Sequence, residues 1–214
     1  MSIAQSHVFG VVPRKTTIGE AQNIFLQLGM PIDFMVPENN KKVYSTIRGF
    51  EIGLGLSSQL IVQDDIVQDV KVGVEPPDNS LSLHANGLSG YSIENFLKRY
   101  GSPSAVEFHI DYPHESGFPP GTAWYDMTVY FESSNVIVQF YNAVTKEGDL
   151  IKACPIKNGF KGVRIWTGKT PRNPPFKGIP LETASKISLD EYYDSFIEGN
   201  ENSCIELETK ALLP

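Results

Sequence analysis

The chain has 214 residues, of which 41% are hydrophobic and 11% aromatic, enough for one packed domain or two small ones. Its formal net charge of -7 excludes nucleic acid and anionic membrane surfaces as main partners, because those partners need clustered lysine and arginine. No apolar run approaches the ~20 residues that a membrane-spanning helix needs.

The N-terminal residues MSIAQSHVFG contain neither the basic segment nor the apolar segment of a signal peptide. Two locations are therefore open. The protein is cytoplasmic if no leader was removed, and extracytoplasmic if a leader was replaced by the initial methionine.

The first predicted helix covers about Ile18–Leu28. Thr17 and Glu20 have the spacing of a capping box at its start. Gly29 and Pro31 end the helix and begin an extended strand, because glycine adopts the left-handed conformation and proline cannot continue a helix. Four apolar residues share one helical face: Ala21, Ile24, Phe25 and Leu28.

Strand patterns follow this helix. Residues 49–56 alternate between apolar and small or polar side chains, which predicts one strand. Residues 59–63 and 66–74 predict a hairpin about Asp64 and Asp65, with Ile66 on the same face as Val70, Val72 and Val74. Residues 75–90 are rich in Pro, Asn, Ser and Gly and are interpreted as a connection.

A second helix, Ser92–Tyr100, repeats the first one's pattern. It ends in Gly101 and Pro103, and a strand follows at 105–112. Its four apolar residues match those of the first helix: Ile93, Phe96, Leu97 and Tyr100. The next turn, Ser134-Asn135, lies about as far after Gly101 as Asp64-Asp65 lies after Gly29, which predicts duplication of a unit of about 72 residues.

Residues 124–132 give the strongest strand signal, and residues 136–141 continue it after the turn. Alternation places Tyr125, Met127, Val129 and Phe131 toward the helix. The opposite, open face is predicted to bind a protein partner, since amphipathic aromatics are enriched in binding hot spots. The predicted residues are Trp124, Thr128, Tyr130, Ile137, Gln139 and Tyr141. The alternative is that another part of the chain covers this face.

The C-terminal third contains short strands at 150–156 and 162–166, then a Pro-rich loop at 167–180. A third helix follows, with a capping box at Ser188 and Glu191. The predicted fold is therefore α+β: two tandem units of a helix plus an antiparallel β-meander, with a C-terminal helical cap. The predicted ranges are 1–80 and 81–170 for the units and 171–214 for the Pro-rich loop, helix and tail.

The two cysteines allow two readings. A disulfide between Cys154 and Cys204 would hold the C-terminal tail against the rest of the chain and indicate an oxidising compartment. Two buried free thiols are the other possibility. Without histidine or further cysteine nearby, the pair is not a zinc site, and no cofactor is predicted.

Candidate chemistry is sparse. His109 and Asp111, two apart on a strand, share a face, and His114 with Glu115 follows in the next loop, so these residues could hold a metal. The TGKT segment at 167–170 does not make a phosphate loop, because prolines follow it. There is no G-x-S-x-G motif, and the four histidines have no obvious Ser or Cys catalytic partner in the sequence. The chain is predicted not to be an enzyme.

The repeated helix, Gly-x-Pro and strand pattern resembles the BamE (SmpA/OmlA) family of outer-membrane assembly lipoproteins and the β-lactamase inhibitor proteins. LGMP at 28–31 and YGSP at 100–103 carry the resemblance, which covers about 15–150. It implies an extracytoplasmic protein that binds other proteins through the open sheet face. The lipid-bearing cysteine of the lipoproteins is absent, so membrane association would require a missing leader or anchor.

These observations predict a non-catalytic, extracytoplasmic protein-binding or assembly subunit with a protein partner. The alternative is a small-ligand or metal-binding protein, including a metal-dependent hydrolase, that uses His109, Asp111 and His114.

Overall fold

Strands dominate the protein. The computed structural model describes residues 9–32, 34–38, 40–50, 54–75, 91–111, 122–147, 149–158, 161–168, 178–200 and 202–208. These residues form eleven β-strands, five α-helices and one 3-10 helix. Two of the α-helices, α3 and α4 below, have only four residues each.

The strands are β1 (Phe34–Glu38), β2 (Lys41–Phe50), β3 (Leu54–Gln63), β4 (Ile66–Glu75), β5 (Ala105–Asp111), β6 (Thr122–Phe131), β7 (Val136–Glu147), β8 (Leu150–Ala153), β9 (Gly162–Gly168), β10 (Ile179–Pro180) and β11 (Ile205–Glu208). The α-helices are α1 (Ile18–Gln27), α2 (Ile93–Tyr100), α3 (Pro155–Asn158), α4 (Leu181–Ala184) and α5 (Leu189–Ile197), and the 3-10 helix is Glu132–Ser134.

One hydrogen-bonded sheet runs in the order β1-β2-β3-β4-β9-β7-β6-β5-β10, and β8 pairs with both β7 and β11. The registers of seven of these strand pairs are all antiparallel. The predicted α+β fold of two tandem helix-plus-meander units with a helical cap is therefore wrong: the protein is mostly a large antiparallel sheet with few helices. The physical reason is β9, which pairs with both β4 and β7 and so occupies edges that would otherwise end two separate meanders.

Contacts divide the chain into two compact units. The first combines Met1–Asp78, Glu132–Val138 and Arg164–Arg172. The second combines Asn79–Phe131, Gln139–Val163 and Asn173–Pro214. The three ranges expected from the sequence stay a prediction.

In the first unit, α1 begins with the predicted capping box. The Glu20 amide donates to Thr17 Oγ1 at 3.2 Å, and the Thr17 amide donates to Glu20 Oε2 at 2.8 Å. The helix buries Ala21 and Phe25, and it contacts β4. Leu60 and Val62 of β3 and their register partners on β4, Val70 and Val67, are also buried.

The hairpins of this unit match the prediction in part. Asp64 and Asp65 have φ of 50° and 58°, which confirms the two-residue turn between β3 and β4. A register shift beside Val62 pairs it with Val67, so Val67, and not Ile66, is buried with Val70. The single strand predicted over 49–56 is wrong: β2 ends at Phe50, and β3 begins at its antiparallel partner Leu54.

In the second unit, α2 and α5 contact each other. Helix α2 buries Ile93, Phe96 and Leu97, and Phe96 packs edge-on against Phe140 of β7, with ring centroids 5.8 Å apart. Helix α5 has the predicted capping box between Ser188 and Glu191 and buries Tyr192 and Phe196. No helix in the described ranges is long and apolar enough to cross a membrane.

The predicted glycine stops have the expected positive φ, 71° at Gly29 and 82° at Gly101. The two helix ends nevertheless differ. Gly29 follows the C-cap Leu28, whereas Gly101 is itself the C-cap and its amide donates to the Leu97 carbonyl at 2.8 Å. The repeated sequence pattern therefore marks two helix ends that differ in local structure.

Candidate functional site

The face predicted to bind a partner is largely covered. On β6, Tyr125, Met127, Val129 and Phe131 are buried, as alternation predicts. Thr128, on the other face, is also buried, with 4% of its surface exposed. Trp124 and Tyr130 are half-buried.

The residues predicted on β7 are similarly enclosed. Gln139 has 0% exposure, and its Nε2 donates to Thr128 Oγ1 at 3.5 Å. Tyr141 is half-buried, and the backbone of Gly162 lies so close to its ring that a Cβ there would meet Tyr141 Oη at 2.1 Å. Ile137 is buried and belongs to the first compact unit. The middle of the predicted face is thus interior, in agreement with the alternative that the chain covers it.

The rim of this face holds two polar pairs that one sequence does not reveal. Tyr130 Oη donates to Glu107 Oε2 at 2.9 Å, and the pKa of Tyr130 is raised by burial and then by this hydrogen bond and the Glu107 charge. His109 Nδ1 lies 3.7 Å from Asp126 Oδ2. Both pairs depend on the register between β5 and β6, which no local pattern specifies.

The metal hypothesis gains no support from the described residues. His109 pairs with Asp126, and His114 and Glu115 lie outside the described ranges. Asp111 ends β5, and its side chain is not among those described. Within the described ranges, no group of three or more His, Cys, Asp or Glu could hold a metal ion. Metal binding stays a prediction.

The disulfide prediction is confirmed. Cys154 and Cys204 are bonded, with their Cα atoms 4.1 Å apart. The bond joins the start of β11 to the end of β8, and the next register pair is Ile205 with Ala153. Both residues of that pair are buried, so the bond holds the C-terminal strand on an apolar surface.

A different surface, at β1, exposes two apolar side chains. Among the described residues, five large hydrophobic side chains are exposed by 42% or more: Leu26 and Leu28 at the C-terminal end of α1, Met35 and Val36 on β1, and Leu150 on β8. Met35 and Val36 lie on β1, where 45% and 54% of their surfaces are exposed. Strand β1 ends the sheet, and among the described residues no strand pairs with its outer edge.

Pro37 determines which backbone groups of β1 point outward. Its register partner is Lys42. In an antiparallel ladder, opposite residues alternate between hydrogen-bonded pairs, which exchange two hydrogen bonds, and non-hydrogen-bonded pairs. Proline has no N–H, so Pro37 and Lys42 form a non-hydrogen-bonded pair. Because the two kinds alternate, Met35 also directs its N–H and C=O away from β2. We use the name β1 edge for a set of groups on this strand. It comprises the outward N–H and C=O of Met35, the outward C=O of Pro37 and the exposed side chains of Met35 and Val36.

The sequence predicts a strand at β1 but does not predict that this strand forms an exposed edge of the sheet. Proline is tolerated on edge strands and excluded from central ones, so Pro37 was the available signal. The exposure of Met35 and Val36 was not available, because apolar residues in a short strand usually indicate burial.

Comparisons with known proteins identify no relative. No family model, no curated protein and no solved structure matches the chain. The resemblance to the BamE family and to the β-lactamase inhibitor proteins therefore stays a prediction.

Proposed function

We propose that the protein is a non-catalytic protein-binding or assembly subunit whose binding surface is the β1 edge. The observation that carries the proposal is an edge strand whose outer side pairs with no described strand and which has two adjacent apolar side chains about half exposed, at Met35 and Val36. Proteins protect such edges because unpaired N–H and C=O groups are a template for another strand. A partner strand added at the β1 edge would bond to these groups and cover both side chains.

The proposed compartment is extracytoplasmic. The Cys154–Cys204 disulfide is the supporting observation, since such bonds persist in oxidising environments and are reduced in the cytosol.

The β1 edge replaces the surface first predicted. Thr128 and Gln139, at the centre of the predicted face, are buried and hydrogen-bonded to each other, and a partner cannot reach them without displacing part of the chain. Met35 and Val36 need no such rearrangement.

Backbone-specific variants test this proposal. Met35→Pro removes the outward N–H while leaving the bonds between β1 and β2 unchanged, so we expect the melting temperature to change by only a few degrees. Met35→Leu keeps the N–H and an apolar side chain and serves as the matched control. A photo-crosslinking amino acid at position 36 reports partner contact in the extracytoplasmic fraction of producing cells.

We expect Met35→Pro to abolish crosslinking from position 36 and Met35→Leu to retain it. The same crosslinker at position 150, an exposed apolar site in the second unit, measures nonspecific contact. Equal crosslinking from both positions, or crosslinking that survives Met35→Pro, would contradict binding at the β1 edge.

A further inference from the structure

Met35 is the accessible methionine among those that the structure describes. The chain has four methionines, and three of them have described side chains. Met35 exposes 45% of its surface, whereas Met30 exposes 2% and Met127 exposes 0%. Oxidation of a thioether requires contact with a dissolved oxidant, so the rate depends on exposure. Of these three side chains, Met35 alone reacts without prior opening of the fold.

We infer that Met35 is a site of reversible oxidation and that its sulfoxide form prevents a partner from binding at the β1 edge. The inference rests on the proposed function and names a way of regulating it. The oxidant is hydrogen peroxide or a related hydroperoxide, which turns an apolar thioether into a polar sulfoxide.

The oxidation step balances with peroxide alone. A lone pair of Met35 Sδ attacks one oxygen of hydrogen peroxide, the O–O bond breaks, and an S–O bond forms. The departing hydroxide takes the proton of the transferred oxygen and leaves as water. The sulfur is thus oxidised by two electrons and the peroxide is reduced by two.

The reverse step needs thiols. Methionine sulfoxide reductases, one for each sulfoxide epimer, return the thioether. Two thiols form one disulfide, and the sulfoxide oxygen leaves as water. The modification is therefore a switch with two interconvertible states.

The cysteines of the chain do not compete for the oxidant. Thiolates react readily with peroxide, and oxidation of a protein often begins at a free cysteine. Both cysteines of this chain, Cys154 and Cys204, are joined in the disulfide. A peroxide molecule that meets the folded protein therefore finds no cysteine thiol ahead of the Met35 thioether.

The position of Met35 explains why a sulfoxide would affect binding. A partner strand at the β1 edge would cover the Met35 side chain. Covering a thioether is favourable, whereas covering a sulfoxide removes a strong hydrogen-bond acceptor from water. We expect the sulfoxide to weaken binding by about tenfold or more.

Peptide mass spectrometry of the folded protein after brief treatment with hydrogen peroxide tests the selectivity. We expect Met35 to gain an oxygen at least about tenfold faster than Met30 and Met127, because buried side chains react only after local opening. In urea the three methionines should react at similar rates, which controls for their intrinsic reactivity. Equal rates in the folded protein would overturn the inference.

Crosslinking from position 36 tests the effect on binding. The purified protein is oxidised, freed of peroxide and mixed with the untreated extracytoplasmic fraction, so the partner never meets the oxidant. We expect the oxidised protein to crosslink about tenfold less than the untreated protein. Both reductases with their thiol donor should restore the yield, and the thiol donor alone should not.

Two variants separate Met35 from other effects of peroxide. Met35→Leu has no thioether at this position, so its crosslinking yield should be the same before and after treatment. Met35→Gln places a polar carbonyl near the position of the sulfoxide oxygen and should crosslink weakly without any oxidant. The oxidised wild type should melt within a few degrees of the untreated protein, because Met35 is already 45% exposed.

Selective oxidation without loss of crosslinking would overturn the inference and leave the proposed function intact. An equal loss in Met35→Leu would also overturn it, since another residue would then be responsible. A large fall in the melting temperature would do the same, because the sulfoxide would then act on the fold. If the untreated protein gives no crosslink that depends on Met35→Pro, the proposed function is wrong and the inference fails with it.

Discussion

Individual residues show where the second unit is least tolerant of charge. The hydroxyls of Tyr125 and Tyr192 lie in its core, and Tyr192 Oη donates to Met127 Sδ at 3.4 Å. Burial raises the pKa of both phenols, and the nearby Tyr125 adds to the effect at Tyr192. Both side chains therefore stay protonated in the folded protein at pH values where an unfolded chain ionises them.

This difference predicts loss of stability in alkali. Above pH 10 the unfolded chain releases these protons and the folded chain does not, so the unfolded state binds fewer protons and the free energy of unfolding falls as pH rises. Each of the two buried tyrosines should contribute a loss on the order of 1 kcal/mol by pH 11. Below pH 10 the phenols of Tyr125 and Tyr192 are protonated in both states, so this loss of stability is absent there. Urea unfolding at pH 8 and pH 11 measures it.

The matched variants are Tyr125→Phe and Tyr193→Phe. Tyr193 lies beside Tyr192 on α5 and is only half-buried. We expect Tyr125→Phe to reduce the loss between the two pH values and Tyr193→Phe to change it much less. An identical loss in Tyr125→Phe and the wild type would show that Tyr125 ionises freely in the folded state.

The capping boxes at the starts of two helices were the most predictable features of the molecule. Thr17 with Glu20, and Ser188 with Glu191, form the capping boxes that their spacing predicts. These features depend on residues three positions apart, which a sequence displays directly.

Among the elements, β11 depends most on a covalent bond. It has only four residues, and the Cys154–Cys204 disulfide joins its start to the end of β8. The two cysteines are 50 residues apart, so the bond restricts a long loop in the unfolded chain.

Replacing both cysteines by serine should lower the free energy of unfolding by about 4 kcal/mol. Urea unfolding of the double variant against the oxidised wild type measures this loss. The wild type unfolded with reductant present is the control for effects of the serines themselves. A loss below about 1 kcal/mol would show that pairing between β8 and β11 suffices without the bond.

Pairings between distant elements were not predictable in the same way. The strand segment that became β9 was expected from its sequence, but its position between β4 and β7 was not. Similarly, alternation identified the two faces of β6 but could not show that Thr128 and Gln139 would be covered. A strand pattern specifies which residues share a face, whereas the order of strands and the cover over each face depend on the whole chain.

For the whole molecule, the consequence is that most strand edges are used internally and β1 is left at the end of the sheet. At the centre of the face predicted from the sequence, Thr128 and Gln139 are buried. Pro37 indicates an edge strand, but the position of β1 at the end of this sheet depends on the strand order and cannot be read from its own residues. The position of β1 at the end of the sheet is therefore a property of the assembled strand order.

Amide hydrogen exchange of the isolated protein, followed by NMR at a concentration below that of any self-association, tests the open edge most directly. If Met35 directs its N–H outward and nothing covers it, its amide exchanges rapidly, while the neighbouring Val36 amide, bonded to β2, is protected. A protected Met35 amide in the monomer, or equal exchange at Met35 and Val36, would contradict an available β1 edge.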